Sequence, residues 1–338
     1  MHYFITGHTG FKGTWLSFLL IKLGHEVSGY SLDPEPGSLF ETTSIKEKLT
    51  RDIRGDIRDA QSLNMALQET SPDVVIHMAA QPLVRESYRY PLKTFETNVN
   101  GTLNLLNSSA NCSSIKAQII VTTDKVYKNR NQEHGYKEED ELGGDDPYSA
   151  SKAMADLLTQ SWIKSFPKVP TAIARAGNVI GGGDVCQDRL LPDLIKSFKE
   201  GEIALLRYPH AVRPWQHVLD CVNGYLMLSQ YLLDGGTDAI WNFGPRDDEF
   251  IAVHKVAEIV GELWGIKPSW HQLEGNHPHE AGLLALNSNK AREKLKWRER
   301  FSFHESIKMT SEWYSSVNSG LPAEIATVKN IEEFMTKN

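Results

Sequence analysis

A short apolar run, Tyr3 to Thr6, passes directly into Gly7-His8-Thr9-Gly10-Phe11-Lys12-Gly13 and then into a segment of helical period, Phe11 to Leu23. Glycine permits the tight turn, lets backbone amides approach an anion and leaves the helix N-terminus facing a negative charge. A strand, a glycine turn and a helix in that order predict the first βα unit of a parallel sheet, with a dinucleotide pyrophosphate lying over the turn. Thr9, Phe11 and Lys12 sit on the same turn as Gly7, Gly10 and Gly13 and join them as candidate cofactor contacts.

The alternation continues. Glu26 to Tyr30, Val74 to His77, Gln118 to Thr122 and Thr171 to Ala176 have strand length and strand composition, and helix-period stretches separate them. Phe11 to Leu23 places Trp15, Leu16, Leu19, Leu20 and Leu23 on one face; Asp59 to Glu69 and Val99 to Ala110 behave alike. This βαβ series predicts an α/β fold, a doubly wound parallel Rossmann sheet covered on both faces. After Ala176 glycine- and proline-containing loops and shorter helices take over, with a β-like Ile240 to Phe243 among them. That change predicts a smaller, interleaved α/β substrate-binding region: residues 1–176 with 214–244 form the dinucleotide-binding domain, and 177–213 with 245–338 the substrate region. The acidic run Glu138 to Glu141 reads as a solvated loop, and Tyr88, Tyr90 and Trp241 as core packing.

A net charge of −7 gives no reason to expect nucleic acid or an anionic membrane as partner, and no apolar run reaches membrane-spanning length. The three cysteines, Cys112, Cys186 and Cys221, are widely spaced and suggest neither a disulfide framework nor a zinc site, so a reducing cytoplasm fits best. With the first strand starting at residue 3 there is no room for a signal peptide. His277-Pro278-His279-Glu280 offers ligand types without a matching set at fixed spacing, and His210 and His217 are equally isolated; no metal is expected.

Tyr148 and Lys152 stand four residues apart and share a helix face. A neighbouring ammonium favours phenolate over phenol, which makes the tyrosine a base for a substrate hydroxyl, and the lysine can also hold a nicotinamide ribose. Upstream, the strand Gln118 to Thr122 runs out into Thr123-Asp124-Lys125. Asp124 and Lys125 add an acid and a base at the same rim, the pair that a loss of water from a sugar requires.

The motifs TGHTGFKG, TTDKVY, DPYSASK, ARAGNVIGGGD, DRLLPD and PHAVRPWQHVLD, in this order, resemble the CDP-glucose 4,6-dehydratases, a nucleotide-sugar branch of the extended short-chain dehydrogenases. The likeness runs through most of the chain. Lys125 stands where dehydratases acting on dTDP-glucose normally carry Glu, as in the CDP-glucose type and in some UDP-N-acetylglucosamine dehydratases. The resemblance implies NAD as cofactor, CDP-glucose as substrate and a place in deoxysugar biosynthesis such as that of lipopolysaccharide O-antigen. The acid that would hold the cofactor's ribose is replaced by Ser31, with Asp33 two residues on; this leaves room for a 2′-phosphate, but no arginine follows at once, so NAD is preferred.

By resemblance Thr123 hydrogen-bonds the reacting hydroxyl, Tyr148 takes the proton of the sugar's 4-hydroxyl, Lys125 that of carbon 5, and Asp124 protonates the departing 6-hydroxyl. Lys125 can act as a base only if partly neutral, which burial or nearby cations such as Lys152 would favour. Asp56 with Ile57, the run Ala79, Ala80 and Gln81, and Asn98 match positions around the cofactor; Gln81, Asn178, Arg189 and Arg213 match positions lining the nucleotide-sugar site. An arginine fork suits a pyrophosphate. The helices from Val99 and Tyr148 resemble those forming a homodimer interface in this superfamily. A 4-epimerase, a dehydratase of another nucleotide sugar (UDP-, GDP- or dTDP-linked), or a dinucleotide sensor without turnover are the competing readings.

Overall fold

The computed structural model describes residues 1–132, 134–246, 250–275 and 283–337. Seven strands build its central sheet: β1 (His2–Thr6), β2 (Glu26–Ser31), β3 (Arg51–Arg54), β4 (Val74–His77), β5 (Ala117–Val121), β6 (Thr171–Ala176) and β7 (Ile240–Phe243). Their order is β7-β6-β5-β4-β1-β2-β3, and every pairing is parallel. The doubly wound Rossmann expectation therefore holds. The order reverses between β1 and β4, and in such sheets a crevice for ligands opens there, beyond the carboxyl ends of the strands.

Strands of a parallel sheet are covered on both faces and tolerate nearly unbroken apolar runs. In β4, β5 and β6 every residue is buried. The strand β3, absent from the sequence expectation, is the edge strand Arg-Asp-Ile-Arg, paired through Ser28↔Arg51 to Ser31↔Arg54. Charged side chains protect an edge from further pairing, and the same charges erase the apolar signal by which a strand is read.

Helix α1 (Phe11–Lys22) buries Trp15, Leu16, Leu19 and Leu20 as its periodicity demands. Leu23 does not join them: the helix stops one residue earlier, Leu23 is its exposed C-cap, and Gly24 turns the chain at φ +83°. The covering helices are α2 (Ala60–Thr70), α3 (Gly101–Ala110), α4 (Pro147–Ser165) and, on the α1 side, α6 (Val218–Leu233). The helix expected from Val99 is the second half of a longer run, because Pro91–Phe95 and a wide turn at Glu96–Asn100 lead into α3 without a break.

A smaller lobe gathers α5 (Leu190–Lys199), α7 (Val253–Trp264) and short strand pairs around Leu191, Ile195, Phe198, Trp215 and Val256. The C-terminal helices α8 (Phe303–Asn318) and α9 (Ala323–Thr336) do not belong to this lobe alone. Phe303 and Ile307 face it, whereas Trp313, Ile331 and Phe334, together with Trp297, enter the same core as Trp15 and Leu16. Trp241 is fully buried, but Tyr88 and Tyr90 are exposed rather than core residues. The acidic run is only partly solvated, since the Glu138 carboxylate accepts the Asn242 backbone N–H at 3.0 Å. Among the described residues no helix is long and apolar enough to cross a membrane, and no cluster of metal-ligating side chains occurs; His277 to Glu280 lie outside the described residues.

Two buried histidines couple this core to pH. His77 packs its ring nitrogens against Thr6 Oγ1 (2.7 Å) and Thr102 Oγ1 (3.1 Å). His217 accepts the Leu219 N–H at 3.2 Å, capping α6, and lies edge-on to Trp15 and Phe301. Burial, helped at His77 by the Lys152 ammonium, pushes both imidazoles down to about 3 from 6.5. Between those values the unfolded chain binds more protons, so the stability present above pH 6.5 is lost as pH falls. The pair should cost about 3 kcal/mol at pH 5.5 relative to neutral pH. Urea midpoints at pH 7.5 and 5.5 check this; an unchanged midpoint would contradict it.

Candidate active site

A cavity of about 960 Å³ lies over the carboxyl ends of the central strands and extends from the glycine turn to the small lobe. At its large-lobe end Gly7 has φ +79°, and a Cβ on Gly13 would lie 2.2 Å from the Gly7 carbonyl oxygen, so only glycine lets α1 approach the turn this closely. Gly10 caps α1 without any side-chain hydrogen bond, and the first turn carries no acid. The free N–H groups and dipole of α1 are thus turned toward the cavity, a cradle that fits a dinucleotide pyrophosphate. Thr9 Oγ1 binds Ser31 Oγ at 2.8 Å and tethers the turn to the end of β2. Asp33 lies beyond, widely exposed and 3.6 Å from Arg54.

Asp56 and Ile57 border the same end, as do Ala79 and Ala80. Asp56 is forked by Arg58, with Nη2 at 2.6 Å, which holds its carboxyl below the usual range. Gln81 and Asn98, expected to touch ligand, do not border the cavity. The Gln81 side chain is spent on Leu83 and Thr94, while Asn98 grips both polar groups of the Gln81 backbone and the Ser151 hydroxyl. Both brace the loop after β4 from behind.

Beyond β5, Thr123 caps a single 3₁₀ turn, Asp124–Val126. Its hydroxyl donates to Asp124 Oδ1 at 2.8 Å and receives the Lys125 N–H at 3.4 Å. Asp124 is buried, and Oδ2 has no partner among the described residues. Burial raises its pKa, with Lys125 opposing, so the carboxyl leans toward the protonated form that an acid catalyst needs. Lys125 is half-buried and lines the cavity beside it.

Asp146 caps α4 by accepting the Ser149 N–H at 2.9 Å, and Pro147 opens the first turn, which sets Tyr148 and Lys152 on the buried face of the helix. The expected depression of the Tyr148 phenol is not present in this structure. Burial pushes it up to about 12 against the opposing Thr123 hydroxyl, and Lys152 donates instead to the Val121 carbonyl at 2.9 Å. Lys152 itself is pushed down to about 7, first by burial and then by Lys12. Lys12, half-buried at the cavity, donates to the Tyr225 hydroxyl at 3.3 Å.

Asn178, Arg189 and Arg213 line the part of the cavity facing the small lobe. Arg189 is paired with Asp184 at 2.8 Å, and Arg213 donates to the Val212 carbonyl at 2.9 Å. Sequence reasoning missed Arg85 and Arg207, which converge on Asp188 at 2.5 and 3.0 Å and border the same wall. No spacing links them; the fold brings them together.

The GDP-mannose 4,6 dehydratase family profile matches residues 4–310. The chain belongs to this family. It is 42% identical, over 98% of its own length and 96% of the relative's, to the CDP-glucose 4,6-dehydratase of Salmonella typhimurium strain LT2. It is 25% identical, over 93% of each chain, to a probable dTDP-glucose 4,6-dehydratase of Sinorhizobium fredii. Among solved structures it is similar to the dTDP-glucose 4,6-dehydratase of Streptomyces venezuelae with NAD bound, at a TM-score of 0.83 and 24% identity over 94% of this chain and 98% of that one. A UDP-glucose 4-epimerase of Thermotoga maritima shares the fold at a TM-score of 0.81 and 21% identity, over 94% of this chain and 100% of that one. As a family member this chain shares its scaffold with both dehydratases and epimerases, and the chemistry must come from the residues at the cavity floor.

Proposed function

We propose that the protein is an NAD-dependent CDP-glucose 4,6-dehydratase, converting CDP-glucose to CDP-4-keto-6-deoxyglucose and water. The observation that carries this reading is the buried Asp124 with Lys125 beside it, next to Thr123 and Tyr148, on a cavity that continues to the glycine cradle. The 42% identity to a CDP-glucose 4,6-dehydratase over nearly the whole chain supports the choice of nucleotide. NAD, when bound, would supply the hydride acceptor and donor and a positive charge. Gly7, Thr9, Gly10, Phe11, Lys12, Gly13, Asp56, Ile57, Ala79 and Ala80 would hold it, with Gln81 and Asn98 bracing its loop.

The chain's own part is proton traffic and orientation. Tyr148 receives the 4-hydroxyl proton as its phenolate, the form that the positive charge of bound NAD would favour against burial, with Thr123 alongside, and Lys152 holds the end of β5 in place. The 4-ketone acidifies carbon 5; Lys125 takes that proton while Asp124 protonates the 6-hydroxyl, which leaves as water. Lys125 then returns its proton to carbon 5. The proton gained by Tyr148 balances the one lost by Asp124, and Thr123 lies between the two. Asn178, Arg189 and Arg213 bind the nucleotide sugar from the small-lobe side. The division into a cofactor domain, 1–176 with 214–244, and a substrate region, 177–213 with 245–338, is kept with α8 and α9 as bridges between them.

An epimerase requires no acid and base pair at this rim, which disfavours that reading. Incubating the protein and NAD with CDP-, dTDP-, GDP- and UDP-glucose, and weighing the products, tests the proposal: loss of water is expected with the CDP sugar, and a product of unchanged mass would point to epimerisation. The product would feed deoxysugar biosynthesis, including that of lipopolysaccharide O-antigen, in the cytoplasm. Leu92, Leu103, Met154 and Leu157 are exposed on Pro91–Phe95, α3 and α4, and a homodimer would cover them. Light scattering should give twice the chain mass for the native protein and the monomer mass for Leu157→Glu; a native monomer would contradict the dimer.

A further inference from the structure

The six residues from Thr122 to Tyr127 form a strap that carries Asp124 and Lys125, and both of its ends are moored to one buried ion pair. Asp156, on the same helix as Tyr148 and Lys152, pairs with Arg175 of β6 through two hydrogen bonds of 2.8 Å, both side chains being buried. Thr122 Oγ1 donates to Asp156 Oδ2 at 3.1 Å. At the other end Arg175 Nη1 donates to the Tyr127 hydroxyl at 2.8 Å, and that hydroxyl donates to Asn242 Oδ1 at 2.7 Å. The Tyr127 ring is pinned between the Arg175 guanidinium, 4.9 Å from its centroid, and Tyr136, stacked at 5.1 Å. None of Tyr127, Asp156, Arg175 and Asn242 borders the cavity.

We propose that Tyr127 is a positioning residue for the elimination of water: its doubly bonded hydroxyl fixes the far end of the strap, and with it Lys125 and Asp124, at the cavity rim. This rests on the dehydratase reading above. The two ends of the strap serve different halves of the reaction. Thr123, Tyr148 and Lys152, which handle the 4-hydroxyl, keep their own moorings through Thr122 to Asp156 and through Lys152 to Val121. Lys125 lies two residues from Tyr127 and depends on the second anchor. Buried polar networks with every member satisfied confer rigidity, and a misplacement of about 1 Å can cost about a hundredfold in rate.

Tyr127→Phe keeps the ring and its stacking and removes only the hydroxyl. With NAD and CDP-glucose this variant should lose turnover to the dehydrated product by about a hundredfold, with KM and the initial rate of cofactor reduction within about twofold of wild type. Exchange of the carbon-5 proton with deuterated solvent should fall in parallel. Arg175→Lys keeps a cation on Asp156 but not the bond to Tyr127, and carries the same expectation should the first variant fail to fold. Wild-type dehydration in Tyr127→Phe, or equal loss of reduction and elimination in the folded variants, would overturn the proposal, as would loss of the fold in both. A wild-type protein that reduces NAD with the sugar yet removes no water would remove the dehydratase reading itself, and this inference with it.

Discussion

Tyr148→Phe should abolish the reaction at its first step, lowering turnover by about a thousandfold, within the range that removal of a positioned acid or base produces. The substitution deletes one oxygen and leaves the rest of the residue in place. The Tyr148 backbone N–H stays on Ser87 Oγ at 3.1 Å, the ring stays buried, and the helix keeps its Asp146 cap. What disappears is the group assigned to take the proton of the 4-hydroxyl beside Thr123, so both cofactor reduction and water loss should fall together. NAD affinity, measured by fluorescence titration, should stay within about threefold, because the cradle is built from the Gly7 to Gly13 turn. Turnover near wild type in a folded Tyr148→Phe protein would assign the proton to another group.

Lys125→Ala divides the reaction differently. The sugar can still lose its 4-hydroxyl proton to Tyr148, and the reduced cofactor should accumulate on mixing. The carbon-5 proton then has no acceptor, and release of the dehydrated product should fall by about a thousandfold. Because Lys125 is half-buried at the cavity rim, added small amines should reach its place and restore part of the activity. Stability should change little, since the bond that ties this residue to Thr123 is made by its backbone N–H and survives the substitution. Wild-type-like product formation in the variant would take Lys125 out of the base role, and loss of cofactor reduction would show that it acts ahead of elimination.

Those parts of the molecule that are written in local spacing are legible in the sequence. The glycine turn needs Gly7 and Gly13 where only glycine fits, and the four-residue step from Tyr148 to Lys152 sets both on one buried face. Thr123, Asp124 and Lys125 follow a fully buried strand and so must emerge at its rim. Features made by distant segments are not legible in this way. Gln81 keeps its polar groups for Leu83, Thr94 and Asn98, an arrangement that depends on a helix of a later segment. Arg85 and Arg207 meet on Asp188 across a wide stretch of sequence, and Asp156 finds Arg175 between α4 and β6. The Tyr148 motif misleads on the sign of the phenol's shift for a related reason: burial, a property of the whole fold, outweighs the Thr123 hydroxyl, while the lysine that local spacing makes conspicuous turns to the Val121 carbonyl.

In the proposed reaction hydrogen leaves carbon 4 and returns to carbon 6 of the same sugar while water is lost between. CDP-glucose carrying deuterium at carbon 4, turned over by the NAD-loaded protein in ordinary water and followed by mass spectrometry and NMR, tests it most directly. The expected product is lighter by one water and retains the deuterium, now at carbon 6. Deuterium washed out to solvent, or a deuterated product of unchanged mass, would contradict it.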